Sequence, residues 1–345
     1  MFIVLILSAI LSNVAVAMTQ PIYLTQEHDL PQKFPEIIEP FWQENVVETQ
    51  VTGKGDVPIF AAYLIHPEAK GSIVISGGRT EAGVKFKELF YDLYQNGYSV
   101  FTADHRGQGL SGRMLEDKER GYIETFDLYV DDFKRFYDEI VIPNSQQKPF
   151  LLCHSMGSAI GALYGIRYPD DFARVVLGSP MFGIAGPITQ DQARKVINLV
   201  KWVNGVLSKT PWYFPGQKPF EDVSFENNQI VQSPIRYGIH QKVFDDYPDA
   251  KLGGVTVAWL DQALVAMESI LENASKMTSP TLIIQAEGDS IIDNTSHQPV
   301  CDAMPNCTFK SIPNARHELF MEQDKYRTPT LEMAIQFFQN APLTH

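Results

Sequence analysis

Between residues 72 and 152 short apolar runs and helix-period segments take turns along the chain, and this alternation restricts the fold more than any other feature of the sequence. Apolar runs at 72–75, 98–102 and 150–152 are separated by helical periods at 84–94 and 126–140. Strands that alternate with helices of this length make βαβ units, whose right-handed crossovers build a parallel sheet covered on both faces. The carboxyl ends of the strands then share one edge, where sites are built. A further run at 173–177 extends the series, and the rhythm resumes with a strand at 281–285, a short helix after Asn294, a strand at 308–312 and a final helix over 330–338. Upstream, 46–51 and 57–65 alternate around Gly53-Lys54-Gly55-Asp56, an antiparallel hairpin pattern. Residues 19–40 read as a polar stretch containing prolines. From 181 to 278 the alternation lapses into helical patches at 192–207 and 257–271 around the aromatic, proline-rich stretch 211–215. The fold class that follows is α/β: a mostly parallel central sheet flanked by helices, its core formed by 18–180 and 279–345, with an inserted helical cap at 181–278.

The 345 residues, 44% of them hydrophobic, suffice for one large core. A net charge of -13 argues against a nucleic-acid partner, since phosphate backbones recruit clustered lysine and arginine. It leaves room for lipid, because a local apolar mouth can meet a bilayer whatever the total charge, and transient membrane contact through the cap is expected on that ground. The first residues read as an address. Residues 2–16 are uncharged and mostly aliphatic, too short to span a membrane comfortably, and end in Ala15-Val16-Ala17, a small-x-small cleavage pattern. Residues 1–17 are therefore expected to be an export signal removed after Ala17, with an uncleaved membrane anchor as the alternative. Three cysteines fit this reading: Cys301 and Cys307 flank a short turn and are close enough to bridge in an oxidising compartment or to stay reduced and buried, while Cys153 stands alone.

Cys153-His154-Ser155-Met156-Gly157 lies between the apolar run 149–152 and a small-residue helical pattern. A nucleophile elbow belongs at such a junction, where a strained turn lifts a serine hydroxyl clear of the sheet edge. Gly157 satisfies the need for a small neighbour; Cys153 stands where the usual pattern has glycine. A serine nucleophile needs a base, and the base needs a group that orients it. Of the eight histidines only His105 and His317 fall in loops directly after parallel strands, and His317 follows the last strand. The strand before that leads into Asp289 and Asp293; Asp289 is nearer the strand end, and Asp293 is equally placed to cap the next helix. Ser155, Asp289 and His317 occur in the order an α/β-hydrolase uses. The oxyanion of such an enzyme needs two backbone N–H donors. Met156, just after the serine, supplies one, and the loop Ser76-Gly77-Gly78-Arg79 supplies the other through the Arg79 main chain. Asp131, Asp132 and Glu139 read as a solvated helix face, and Trp202, Trp212, Tyr213, Phe214 and Phe220 as cap packing or the lining of an acyl tunnel. Gly107-Gln108-Gly109-Leu110-Ser111-Gly112 only superficially resembles a nucleotide loop.

The segments Gly77-Gly78-Arg79-Thr80-Glu81 and Asp104-His105-Arg106-Gly107-Gln108-Gly109-Leu110-Ser111-Gly112-Arg113, with the elbow and the Asp289 and His317 loops, resemble the monoacylglycerol lipase and bacterial lysophospholipase branch of the α/β-hydrolases. The resemblance runs from about residue 41 to 338 and is weakest in the cap. It implies a cofactor-free serine esterase acting on a single-acyl lipid, either a lysophospholipid or a monoacylglycerol. Gly77-Gly78 stands where the monoacylglycerol lipases carry His-Gly, which leans towards the lysophospholipases. A peptidase or small-ester hydrolase of the same fold is the rival enzyme, and an exported binding protein with a silent site the rival from another class.

Overall fold

The computed structural model describes residues 21–186 and 189–340, so the expected signal at 1–17 lies outside the described residues. Eight strands form one sheet in the order β1-β2-β4-β3-β5-β6-β7-β8. They are β1 (Val47–Thr52), β2 (Pro58–Leu64), β3 (Gly71–Ser76), β4 (Tyr98–Ala103), β5 (Phe150–His154), β6 (Val175–Gly178), β7 (Thr281–Ala286) and β8 (Cys307–Ile312). Only β2 runs against the rest: it pairs antiparallel with β1 and β4, and every other pairing is parallel. The chain winds outward from β3 to one side through β4 and to the other through β5, so the crevice between the ends of β3 and β5 is where a ligand site is expected in an open α/β sheet.

Strand alternation partitions the core. Val74, Phe101, Leu151, Cys153, Leu177 and Ile283 face one layer, and Ile73, Ile75, Val100, Leu152, Val176 and Leu282 the other, all buried. On the first face lie the helices α2 (Asp127–Phe136) and α3 (Met156–Arg167); on the second lie α1 (Lys87–Gln95) and α8 (Asp324–Phe338), together with short helical turns over residues 27–45. Those turns occupy much of the polar, proline-containing stretch at 19–40. Pro31, Pro35 and Pro40 each fall at the start of one of the successive helical pieces, whose geometry changes where they stand, and Leu30, Ile38 and Trp42 are buried beneath. Helix α8 begins at Asp324 rather than at the expected 330, and carries Pro329 in its interior. Its first turn is tied to the body by Arg327, which donates to the Phe320 carbonyl and pairs with Asp92 at 2.8 Å.

After β6 the chain leaves the sheet and builds α4 (Gln190–Leu207), α5 (Pro234–Asp246) and α6 (Val257–Asn273) before returning at β7; α7 (His297–Ala303) precedes β8. Helix α4 packs on α6. Helix α5 is fastened to the body through Arg236, a fully buried residue. Its guanidinium donates to Glu88 of α1 at 2.9 Å, Asp324 of α8 at 2.8 Å, and the carbonyls of Thr25 and Glu322. Cys301 and Cys307 form a disulfide across the turn between α7 and β8.

Candidate active site

Ser155 stands between β5 and α3 with φ 52° and ψ -119°, a conformation that L residues with a side chain rarely adopt. Its backbone is pinned on both sides: its N–H donates to the Gly178 carbonyl at 3.0 Å, and its carbonyl accepts from Met181 at 3.1 Å. The turn is tight because α3 presses on the end of β3. A Cβ at Gly157 would sit 2.2 Å from the Ser76 carbonyl oxygen, so only glycine fits. The bulk of Cys153 beneath the elbow is absorbed by a second glycine: a Cβ at Gly161 would stand 2.5 Å from the Cys153 sulfur. Burial pushes the Cys153 thiol well above its ordinary range, so it rests there as a small apolar side chain.

The structure brings Ser155, His317 and Asp289 together. Ser155 Oγ lies 2.8 Å from His317 Nε2, and His317 Nδ1 lies 2.6 Å from Asp289 Oδ2. The other Asp289 oxygen accepts from the N–H groups of Ile291 and Ile292 at 2.8 and 3.1 Å. Burial alone would raise this carboxyl, but the His317 imidazole and those two N–H groups outweigh it and hold the pKa below the usual range. Asp293 caps the next helical turn, accepting from the Thr295 N–H at 3.0 Å, and stands apart from the histidine.

Met156 opens α3, so its N–H is among those with no acceptor inside the helix. The loop after β3 passes close to the serine: a Cβ at Gly78 would come within 3.0 Å of Ser155 Cβ, and Arg79 and Ser155 line one cavity. The glycine-rich segment after β4 supports this loop. His105 Nε2 meets Ser76 Oγ at 3.1 Å, and Gln108 Nε2 donates to the Gly78 carbonyl at 2.7 Å. The glycines themselves fold around Asp104, which accepts from the Leu110 N–H at 2.6 Å; a Cβ at Gly109 would lie 2.2 Å from its carboxylate. Asp132 departs from the solvated face expected of its helix. It is buried and makes a two-pronged pair with Arg106 at 2.6 and 2.7 Å, anchoring the same segment.

A group that the sequence did not single out lies under these loops. Glu81 accepts from the Gly78 N–H and pairs with Lys85, whose ammonium also meets Glu318 at 2.8 Å. His154 Nδ1 stands 3.2 Å from Glu81, an ion-pair contact rather than an aligned hydrogen bond, while its Nε2 lies 3.0 Å from the His317 carbonyl oxygen. Burial would lower the His154 pKa, but the Glu81 and Glu318 carboxylates outweigh it and bring it up to about 9. The imidazolium therefore completes a balanced set, two carboxylates against two cations. With the Lys85 ammonium between the carboxylates, the cluster is an ion-pair network with its positive charge already in place.

Two chambers open from the site. One, of about 500 Å³, contains Ser155 and is walled by Met181, Phe214, Trp259, Leu264 and Ile292. The other, of about 520 Å³, is lined by Gln217, Asn228, Gln229, His240 and Phe220. Arg79, Gln217 and Ile291 border both. Of the cap aromatics considered from the sequence, Phe214 faces the serine chamber, Phe220 packs on Phe244 beside the polar one, Tyr213 lies under Arg120, and Trp202 is exposed.

Residues 67–324 match the family described as serine aminopeptidase, S33. Lysophospholipase L2 of Escherichia coli (strain K12) is 32% identical over 311 residues, covering 88% of this chain and 90% of that protein. The monoacylglycerol lipase of Mycolicibacterium smegmatis is 23% identical over 282 residues, covering 81% of this chain and 92% of that one. Among solved structures, a soluble variant of the monoglyceride lipase from Saccharomyces cerevisiae in complex with a substrate analog superposes with a TM-score of 0.65 at 16% identity, over 86% of this chain and 96% of its own.

Proposed function

The chain belongs to the serine aminopeptidase, S33 family, and from that premise we propose that it is a serine esterase cleaving the carboxylic ester of a single-acyl lipid, a lysophospholipid or monoacylglycerol. The lysophospholipase and monoacylglycerol lipase relatives support the substrate class. The observation that carries the reading is the chain of hydrogen bonds Ser155–His317–Asp289, opening at the serine into a chamber of about 500 Å³ walled largely by apolar side chains. Ser155 Oγ attacks the ester carbonyl while His317 Nε2 takes its proton, and the Asp289 carboxylate stabilises the imidazolium. The Met156 and Arg79 main-chain N–H groups receive the oxyanion, and each such donor typically lowers the barrier by about 3–4 kcal/mol. His317 returns the proton to the departing glycerol oxygen. It then deprotonates a water that attacks the acyl-enzyme and releases the fatty acid.

Two further parts belong to this proposal. Leu199, Trp202 and Val206 share one face of α4 and are between 62% and 69% exposed, which supports docking of the cap on a lipid surface. The apolar segment at 2–16 with Ala15-Val16-Ala17, and the Cys301–Cys307 disulfide, support export to an oxidising compartment.

Replacing Ser155 with Ala is the direct test. Hydrolysis of lysophosphatidylcholine, a monoacylglycerol and a p-nitrophenyl ester is expected to fall together by about 10⁴-fold or more, with loss of labelling by a fluorophosphonate probe. Retained turnover would sink the assignment, and cleavage of aminoacyl amides in preference to the lipids would return the chain to the peptidase reading.

A further inference from the structure

The fully buried cations among the described residues come with carboxylates, whereas Arg79, half-buried at the mouth of the site, does not. Arg106 pairs with Asp132, Arg236 with Glu88 and Asp324, Arg327 with Asp92, and Lys85 with Glu81 and Glu318. Arg79 forms no ion pair among the described residues. One of its terminal nitrogens, Nη2, donates to the Gly253 carbonyl, its guanidinium lies 5.5 Å from the Trp259 ring centre, and its Nε is shielded from solvent without a hydrogen-bond partner. Burial brings its pKa down to about 10, opposed by the neighbouring Tyr129 and Tyr213. A guanidinium whose partners are a carbonyl and an aromatic ring has no opposite charge beside it, and it gains from any anion that reaches it.

Its position says which anion. The main chain of Arg79 is at the ester carbonyl in the reading above, and its side chain lies on the border between the two chambers. In the intact substrate, an acyl chain in the apolar chamber with its ester carbonyl at Ser155 leaves the glycerol and whatever it carries to extend past Arg79 into the polar one. In a single-acyl glycerophospholipid the group at the far end of that glycerol is a phosphodiester. In a monoacylglycerol it is a neutral hydroxyl.

We propose that the Arg79 side chain binds the phosphodiester of the substrate, with the head group in the chamber lined by Gln217, Asn228 and Gln229, so that the site selects single-acyl phospholipids over monoacylglycerols. The proposal rests on Ser155 being the esterase nucleophile and goes beyond it by fixing the substrate class. Guanidinium is suited to this task because its planar fork presents several donors to phosphate oxygens at once. The polar amides around it suit a head group that varies in charge.

The test is a ratio. For the purified full chain, kcat/KM is measured on lysophosphatidylcholine and on a monoacylglycerol of the same acyl chain, in wild type, Arg79→Gln and Arg79→Lys. Both substitutions keep the residue 79 N–H. In Arg79→Gln the phospholipid-to-monoacylglycerol ratio is expected to fall about ten- to hundredfold, the loss of a charge-assisted hydrogen bond, mainly through KM, and Arg79→Lys should lie between. A ratio that stays constant while both activities fall would assign Arg79 to holding Gly253 and overturn the proposal. A second measurement on the wild type needs no variant. sn-Glycerol 3-phosphate should compete with a p-nitrophenyl ester where glycerol does not, and inorganic phosphate competing equally well would mean a free-phosphate site and overturn it. If the wild type cleaves the p-nitrophenyl ester but neither lipid, the fault lies in the single-acyl-lipid reading, and the competition by glycerol 3-phosphate still judges Arg79.

Discussion

His154 precedes Ser155 by one residue and points away from it, yet it touches the carbonyl of His317. Its partners come from each element packed against it: Glu81 and Lys85 from the segment after β3, His317 and Glu318 from the loop after β8, and the ring of Phe320. A folded pKa of about 9 against an ordinary 6.5 means that the imidazolium stabilises the native state fully below about pH 6.5, and that this contribution disappears as the pH rises through 9. The amount is on the order of 3 kcal/mol. The wild type should therefore lose Tm between pH 7 and 9.5 more steeply than His154→Gln, with the two curves converging at the alkaline end. Parallel curves would show that the histidine is neutral. Residues of this kind are hard to read from sequence. Ser155, Asp289 and His317 stand out because each follows a strand, so local pattern alone places them on one edge. Lys85 and Glu318 are separated by 233 positions, and nothing local says that they meet. Asp289 and Asp293 likewise look alike until the direction of the loop is known.

Helices announce themselves through apolar faces, and the ones that escaped sequence reading lack that mark. Helix α5 buries Arg236, Tyr237, His240, Val243 and Phe244, a stripe at helical spacing whose polar members blur the period. The turns over 27–45 are punctuated by prolines that ordinarily argue for loops. Helix α4 is the converse, since its period is clear but its apolar residues Leu199, Trp202 and Val206 face solvent while Ile197 faces the core. Substituting Leu199 and Trp202 with Asp should leave hydrolysis of a soluble p-nitrophenyl ester within about twofold, since exposed positions rarely disturb the fold. Binding to zwitterionic phosphatidylcholine vesicles, measured by sedimentation, should weaken at least about tenfold, as expected for removing two large apolar contacts. Equal sedimentation of the two proteins would remove the cap from the docking role. The tight packing of α3 on the sheet shows the same dependence between elements at closer range. Cys153 replaces the expected glycine on the strand side, and Gly161 makes the room on the helix side.

At the scale of the molecule, the sheet order and its coverage follow from the strand and helix rhythm, whereas the enclosure of the site depends on contacts between distant parts of the chain. Export makes a prediction at this scale. Intact mass of protein recovered from the oxidising compartment should correspond to a chain beginning at Met18, with one alkylated cysteine before reduction, Cys153 after unfolding, and three after it. A retained residue 1–17 would favour the anchored alternative, and three free thiols would place the chain in a reducing environment. Arg236 carries a consequence in time as well as in space. The side chain that fastens α5, and with it one wall of the polar chamber, needs Thr25 near one end of the described chain and Asp324 near the other. His317 also comes late. A growing chain lacks both His317 and the clasp, so the capacity to cut lipid arrives only when nearly the whole polypeptide is present, and under the export proposed above a membrane would meet it first as an inert thread.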